Sequence, residues 1–333
     1  MDIKKIWWRP EYSLFLFVIS LLCWAPGSSA QTQTSSQVVA GTGGWLFLEQ
    51  ELRFLNIGPF WGEHADSASQ ATRADAKDPT PAIVAFHKAL ARKGITLLLV
   101  PVPPKALIYS EYVPESNKSK EWGESLERYY KILREQRVQI VDLREGFYST
   151  KSRQNQPLYC RGDTHWSGYG CTVAADLIAE KILKILPGGS KTYTQQWRDV
   201  QISGDLRQML GGELAKPESI SIREIHDESG HLPKIDPSSP LLVLGDSHVL
   251  VFHDGGDMYS RGAGITDQLA FSLAMPIDVI GVRGSGATPA RLSLYRKVQR
   301  SPDYWEGKKV VVWCFAAREF TETDGWRVLP IEP

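Results

Sequence analysis

The chain has 333 residues, room for one large domain or two ordinary ones. Its 42% hydrophobic and 23% charged residues match an average globular protein, which excludes a disordered polymer, a collagen-like fibre and a polytopic membrane protein. Lys and Arg number 38, as do Asp and Glu, so no global field attracts nucleic acid, and no nucleic-acid partner is expected. The 11 Trp and 12 Tyr suit sugar platforms as well as core filling.

Residues 1–30 read as an export signal. Lys4, Lys5 and Arg9 form a positive segment, Leu14 to Ala25 an apolar core, and Ser28-Ser-Ala30 a cleavage site before Gln31. The apolar run is short for a membrane helix, which needs about 20 residues. An uncleaved anchor, with inner-membrane association, is the second reading. Export leaves Cys160, Cys171 and Cys314 in an oxidising compartment. Cys160 and Cys171 bracket one polar loop and are expected to pair. Cys314 lies in the apolar run Val310–Phe315 and is expected to stay a free, buried thiol. Neither CxxC nor Cys/His ligand spacing occurs, so no metal and no cofactor are expected.

Residues 31–80 read as an N-terminal extension with a short aromatic strand at Gly43 to Leu48 and a polar stretch from Glu63 to Asp78. Pro81 to Lys93 reads as a helix stopped by Gly94, and Ile95 to Val102 as a strand buried on both faces. Leu126, Tyr129, Tyr130 and Leu133 recur at helical spacing within 125–136, and Val138 to Leu143 follows as a strand. Ser167 caps a helix with a stripe of Val173, Leu177, Ile178, Ile182 and Ile185, ended by Pro187-Gly-Gly189. Residues 190–239 are irregular, with turns at Gly211-Gly212 and Pro237, and read as an insertion. Strands resume at 241–244, 277–280 and 309–315. This alternation predicts an α/β domain over 81–325 whose site lies at the strand C-termini. Neither GxGxxG nor a Walker motif is present.

Two local patterns carry chemistry. Leu241-Leu-Val-Leu-Gly-Asp-Ser247 puts a serine at the end of a buried strand, where the following backbone N–H groups can hold an oxyanion. The alternative is an ordinary strand-to-helix turn with a capping residue. Asp163 and His165, two residues apart in Arg161-Gly-Asp-Thr-His-Trp-Ser167, point to one side of an extended loop. The carboxylate can then orient the imidazole, as a base beside a serine requires.

Asp163-Thr-His165-Trp166 followed by Gly245-Asp-Ser247 resembles the alginate O-acetyltransferase family of periplasmic SGNH-hydrolase-like enzymes. Gly44-Trp-Leu-Phe47, Val100-Pro-Val-Pro-Pro-Lys105 and Val311 to Glu319 extend the likeness over most of residues 40–320. The resemblance implies a three-layer α/β/α domain with a mostly parallel sheet, in which the Asp-x-His precedes the serine, the reverse of the usual GDSL order. It also implies O-acetylation of an exported, alginate-like polysaccharide in the periplasm. Ser247 would be the nucleophile, His165 the base and Asp163 its orienter, and a membrane-bound O-acyltransferase would supply the acetyl group. Trp166, Lys105, Arg318 and the Arg283-Gly284 loop are the candidate substrate contacts; the alternative for Lys105 and Arg318, and the favoured one, is a structural role, and for Trp166 it is to cover the base.

Two departures stand out. His248 follows the serine where relatives more often carry an aromatic residue. Asn56, Asn117 and Asn155 are the only asparagines, and none follows a core strand to serve an oxyanion hole. The Ser247 N–H is the expected donor, with the Arg283-Gly284 loop as a second donor or, equally, a plain turn. An exported carbohydrate esterase and a non-catalytic polysaccharide-binding subunit are the competing readings.

Overall fold

The computed structural model describes residues 37–331 apart from 155 and 212–215. The export signal read in residues 1–30, and Gly212 of the predicted turn, lie outside the described residues. The strands, in chain order, are β1 Val38–Ala40, β2 Leu46–Leu48, β3 Thr96–Val102, β4 Gln139–Ile140, β5 Tyr193–Ile202, β6 Glu218–Asp227, β7 Leu241–Gly245, β8 Asp278–Gly281 and β9 Val310–Ala316. Five form one sheet in the order β4-β3-β9-β7-β8, with every neighbouring pair parallel. Every residue of β7 and β9 is buried, because their continuous apolar runs leave no face for water. Helices Glu124–Glu135, Ile265–Leu273 and Thr288–Arg300 make the crossovers that parallel pairing requires.

Residues of the N-terminal stretch pack into the same core. Trp45 stacks on Tyr109 with ring centroids 4.2 Å apart, and Phe60 stacks on Phe320 at 5.4 Å. Helix Pro79–Arg92 starts where Asp78 accepts the Thr80 N–H, with proline in its first turn.

Two elements differ from their sequence patterns. Helix Gly168–Ile182 buries Cys171, Ala174, Ala175, Ile178, Ala179 and Ile182, whereas Val173 and Leu177 are only partly covered and Ile185 is exposed. Small residues let this helix lie close to helix Ile265–Leu273 and β6. A Cβ on Gly168 would sit 2.4 Å from the Ser221 carbonyl oxygen. The second is the stretch 190–239, where β5 and β6 pair along ten residues each as an antiparallel ribbon outside the main sheet. β5 faces solvent on both sides for most of its length, so it carries no hydrophobic alternation to read. Among the described residues no helix is long and apolar enough to cross a membrane.

Candidate active site

Ser247 stands where β7 leaves the C-terminal edge of the sheet. Gly245 ends the strand so close to β9 that a Cβ would lie 1.8 Å from the Cys314 carbonyl oxygen, and only glycine fits. Asp246 follows, fully buried, and accepts the His248 N–H at 2.8 Å and the Ala316 N–H at 2.7 Å. That carboxylate ties the turn to the end of β9 and leaves Ser247 partly exposed. Neither the Ser247 nor the Gly284 N–H meets an acceptor among the described residues.

The loop opposite is a short hairpin. Tyr159 bridges Trp166, and the Cys160 N–H donates to the His165 carbonyl at 3.2 Å. Ser167 then caps helix Gly168–Ile182 by accepting the Gly170 N–H at 3.0 Å. From this loop His165 presents Nε2 at 2.7 Å from the Ser247 Oγ and Nδ1 at 2.6 Å from the Asp163 Oδ1. The three residues lie in one hydrogen-bonded line.

The Asp163 carboxylate receives four donors. Oδ1 accepts the His165 N–H at 2.8 Å and its Nδ1–H; Oδ2 accepts the Asp205 N–H at 2.9 Å and the Tyr259 hydroxyl. Burial disfavours charge on both Asp163 and His165. The attraction between them and their hydrogen bonds outweigh it, holding the Asp163 carboxyl well below the usual carboxylate range and His165 above the ordinary histidine value. Such a base binds a proton readily at the serine. His248 makes a second, looser contact of this kind, Nδ1 to Asp246 Oδ1 at 3.1 Å, but burial pushes its proton affinity down. Its ring lies 4.9 Å from that of His165.

Asp163, His165 and Asp205 bring ligand-type atoms within 4.8 Å of one another. All are engaged: His165 by Asp163 and Ser247, and Asp205 by the Thr164 N–H at 2.7 Å and the Thr164 hydroxyl. The hydrogen-bonded line offers a path for a proton between the Ser247 Oγ and His165 Nε2.

Several candidate contacts prove to be otherwise employed. Lys105 is fully buried, and its Nζ donates to the carbonyls of Cys160, Arg161 and Asp163 at 3.1, 3.3 and 2.7 Å. It braces the loop and is withdrawn from any substrate. Trp166 is 0% exposed and meets the His248 ring edge-on at 5.2 Å; a sugar cannot stack on it. The Arg283 guanidinium pairs with Asp254 at 3.0 Å and Asp257 at 2.8 Å. Arg318 lies half-buried near Asp246 and helps keep that carboxyl ionised. The Cys160–Cys171 bridge is absent. Both thiols are free and buried, Cys160 turned to the Trp166 carbonyl and Cys171 to that of Ala263. Placed in the first turn of its helix, Cys171 points into the core.

Asp205 and Tyr259 are the residues sequence reasoning passed over, and for Asp246 it saw the cap but not the tie to β9. Asp246 stood in the Gly-Asp-Ser segment and was readable as a cap. The other two reach Asp163 from 42 and 96 residues away, and no local pattern announces them.

A parallel sheet of this order, with a serine at the end of β7 facing an Asp-x-His loop, defines an SGNH-hydrolase-like domain. The family model described as the SGNH hydrolase-like domain of the acetyltransferase AlgX matches residues 38–317, and the chain belongs to that family. Among its relatives, the probable alginate O-acetylase AlgJ of Pseudomonas putida is 24% identical over 295 residues, covering 84% of this chain and 69% of that protein. The AlgJ of Azotobacter vinelandii is also 24% identical, over 296 residues, with the same coverage of 84% and 69%. The O-acetyltransferase domain of P. putida AlgJ superposes with a TM-score of 0.64 at 21% identity, over 85% of this chain and 92% of that domain. Pseudomonas aeruginosa AlgX gives 0.58 at 19% identity, over 84% and 61%. At these identities the structural likeness speaks to the fold.

Proposed function

We propose that this chain is an exported polysaccharide O-acetyltransferase working through an acetyl-serine on Ser247. The observation that carries the reading is the line Asp163–His165–Ser247, with contacts of 2.6 and 2.7 Å. His165 Nε2 takes the serine proton as Oγ attacks the acetyl carbonyl, while Asp163 holds Nδ1–H and stabilises the imidazolium. The developing oxyanion faces the Ser247 N–H and the Arg283-Gly284 loop, whose neighbour Gly286 lies against Asp246. The imidazolium then protonates the departing group. In the second half an acceptor hydroxyl gives its proton to His165 and takes the acetyl from Oγ, restoring the serine.

The acceptor is a hydroxyl of an alginate-like exported polysaccharide, the polymer for which the relatives are named. Arg318, half-buried near Asp246, supports the reading as one cation able to meet such a polymer. A groove of about 470 Å³ lined by Arg161, Ser167, Tyr169, Arg207, Glu218 and Ser221 borders the two ends of the loop that carries His165, with neither His165 nor Ser247 in its lining, and gives a polymer room to lie. The larger cavity, about 670 Å³ around Lys191, Tyr193 and Asp236, touches none of these residues. The acetyl group comes from a membrane-bound O-acyltransferase partner, and residues 1–30 direct the chain to the periplasm.

Incubating the protein with an acetyl-ester donor, with and without an oligosaccharide acceptor, tests the reading by mass spectrometry. Acetylated oligosaccharide supports transfer. Free acetate in the presence of acceptor, with no acetylated sugar, would make the protein an esterase. No turnover by folded protein would leave a binding subunit.

A further inference from the structure

The segment between the serine turn and helix Ile265–Leu273 is rich in unusual backbone. Phe252, Gly255, Gly256, Tyr259 and Gly262 all have positive φ. Glycine adopts this without cost, and a tyrosine does not. Tyr259 has φ 70° and ψ −50°, and the Ser260 N–H donates to the Met258 carbonyl at 2.9 Å. That is a three-residue γ-turn of the rare, strained hand. Strain of this sort persists only where the surroundings over-determine it.

The surroundings are specific. Arg198 of β5 donates to the Ser260 Oγ at 2.8 Å while pairing with Glu224 of β6. The Phe252 N–H closes the segment on the Met258 carbonyl at 2.9 Å. With the turn so fixed, the Tyr259 hydroxyl donates to the Asp163 Oδ2. Burial and the Asp163 charge both raise the phenol's pKa, so it stays a donor. The Asp205 N–H takes the same oxygen from the other side at 2.9 Å. Oδ2 is thereby clamped, and with it the plane that aims Oδ1 at the His165 Nδ1.

We propose that Tyr259 is a positioning residue of the catalytic relay, held in a strained turn so that its hydroxyl fixes the Asp163 carboxylate. The ring alone does not account for the strain: a phenylalanine would keep its contact with Phe252, and only the hydroxyl reaches Asp163. The inference rests on the relay proposed above. It also connects the β5–β6 ribbon, which lies outside the main sheet, to the chemistry. Arg198 on β5 holds Ser260 beside Tyr259, and the Asp205 N–H just past the end of β5 reaches Asp163 directly.

The test compares Tyr259→Phe, Phe252→Leu and Ser247→Ala in the acetyl-ester assay, with pH profiles and melting curves. Tyr259→Phe is expected to lower kcat on the order of ten-fold with KM nearly unchanged. It should also move the acid limb of kcat/KM to higher pH, because an Asp163 that has lost a donor holds the His165 proton more tightly. Phe252→Leu should lower the melting temperature and leave the acid limb in place. If Tyr259→Phe loses stability but keeps the wild-type limb and kcat, while Ser247→Ala is inactive, the tyrosine is structural and the inference falls. If Tyr259→Phe does not fold, 3-fluorotyrosine placed at position 259 decides, since a more acidic phenol donates more strongly to Asp163 and should shift the Nδ1 proton resonance of His165; an unmoved resonance overturns the clamp. An active Ser247→Ala would instead overturn the relay itself.

Discussion

The Lys105 Nζ lies 2.7 Å from the Asp163 carbonyl oxygen, with the carbonyls of Cys160 and Arg161 also in reach. A buried ammonium thus gathers the backbone of the loop that carries Asp163 and His165. Burial lowers its proton affinity, while Glu51, itself buried, and Asp163 favour the charge.

Lys105→Met keeps the apolar stem and removes the donors. Three carbonyls lose a charged partner and Glu51 loses one of its two neighbouring cations, Arg318 being the other, which is expected to cost about 2–4 kcal/mol of stability. Denaturant melts should show that loss, and kinetics a fall in kcat with little change in KM. A raised KM with unaltered stability would mark Lys105 as a substrate contact after all.

Gly245→Ala should be among the most damaging single-methyl changes in the chain. The added carbon meets the Cys314 carbonyl of the central strand at 1.8 Å, where neither backbone can yield cheaply. A loss of about 3 kcal/mol is expected. A melting temperature equal to wild type would show that β7 and β9 part more easily than their register implies.

The pH profile follows from the direction of the His165 shift. His165 must be neutral to take the serine proton, and its pKa is raised by Asp163 despite burial. The acid limb of kcat/KM is therefore expected above about 6.5, the ordinary histidine value. Asp163→Asn removes the cause, so the limb should move to lower pH while the rate falls on the order of a hundred-fold or more. An acid limb that stays put in Asp163→Asn would assign it to another group.

The cysteines give a chemical check. In protein lacking residues 1–30, thiol titration of the denatured, unreduced chain should find all of Cys160, Cys171 and Cys314 free. A single reactive thiol would mean that Cys160 and Cys171 are joined.

What the sequence made legible was what lies close along the chain. Asp163 and His165 share a side of one loop because they are two residues apart, and Ser247 follows a run of apolar residues that could only be a buried strand. The parallel sheet followed from such runs alternating with helices. For Trp166 and Lys105 the sequence left a structural and a substrate role both open, because their burial is set by partners far away: His248 packs on the one, and three carbonyls capture the other. β5 was missed because water lies on both its faces. Tyr259 was out of reach for a further reason, since its turn has no sequence signature and Asp163 is 96 residues distant.

The central claim is the acetyl-serine. The direct measurement is peptide mass mapping of the protein after brief exposure to an acetyl-ester donor without acceptor, beside Ser247→Ala treated alike. One acetyl group is expected on the peptide carrying Ser247, discharged when an oligosaccharide is added, and none in the variant. An acetyl group elsewhere, or undiminished acetyl transfer by Ser247→Ala, would contradict it.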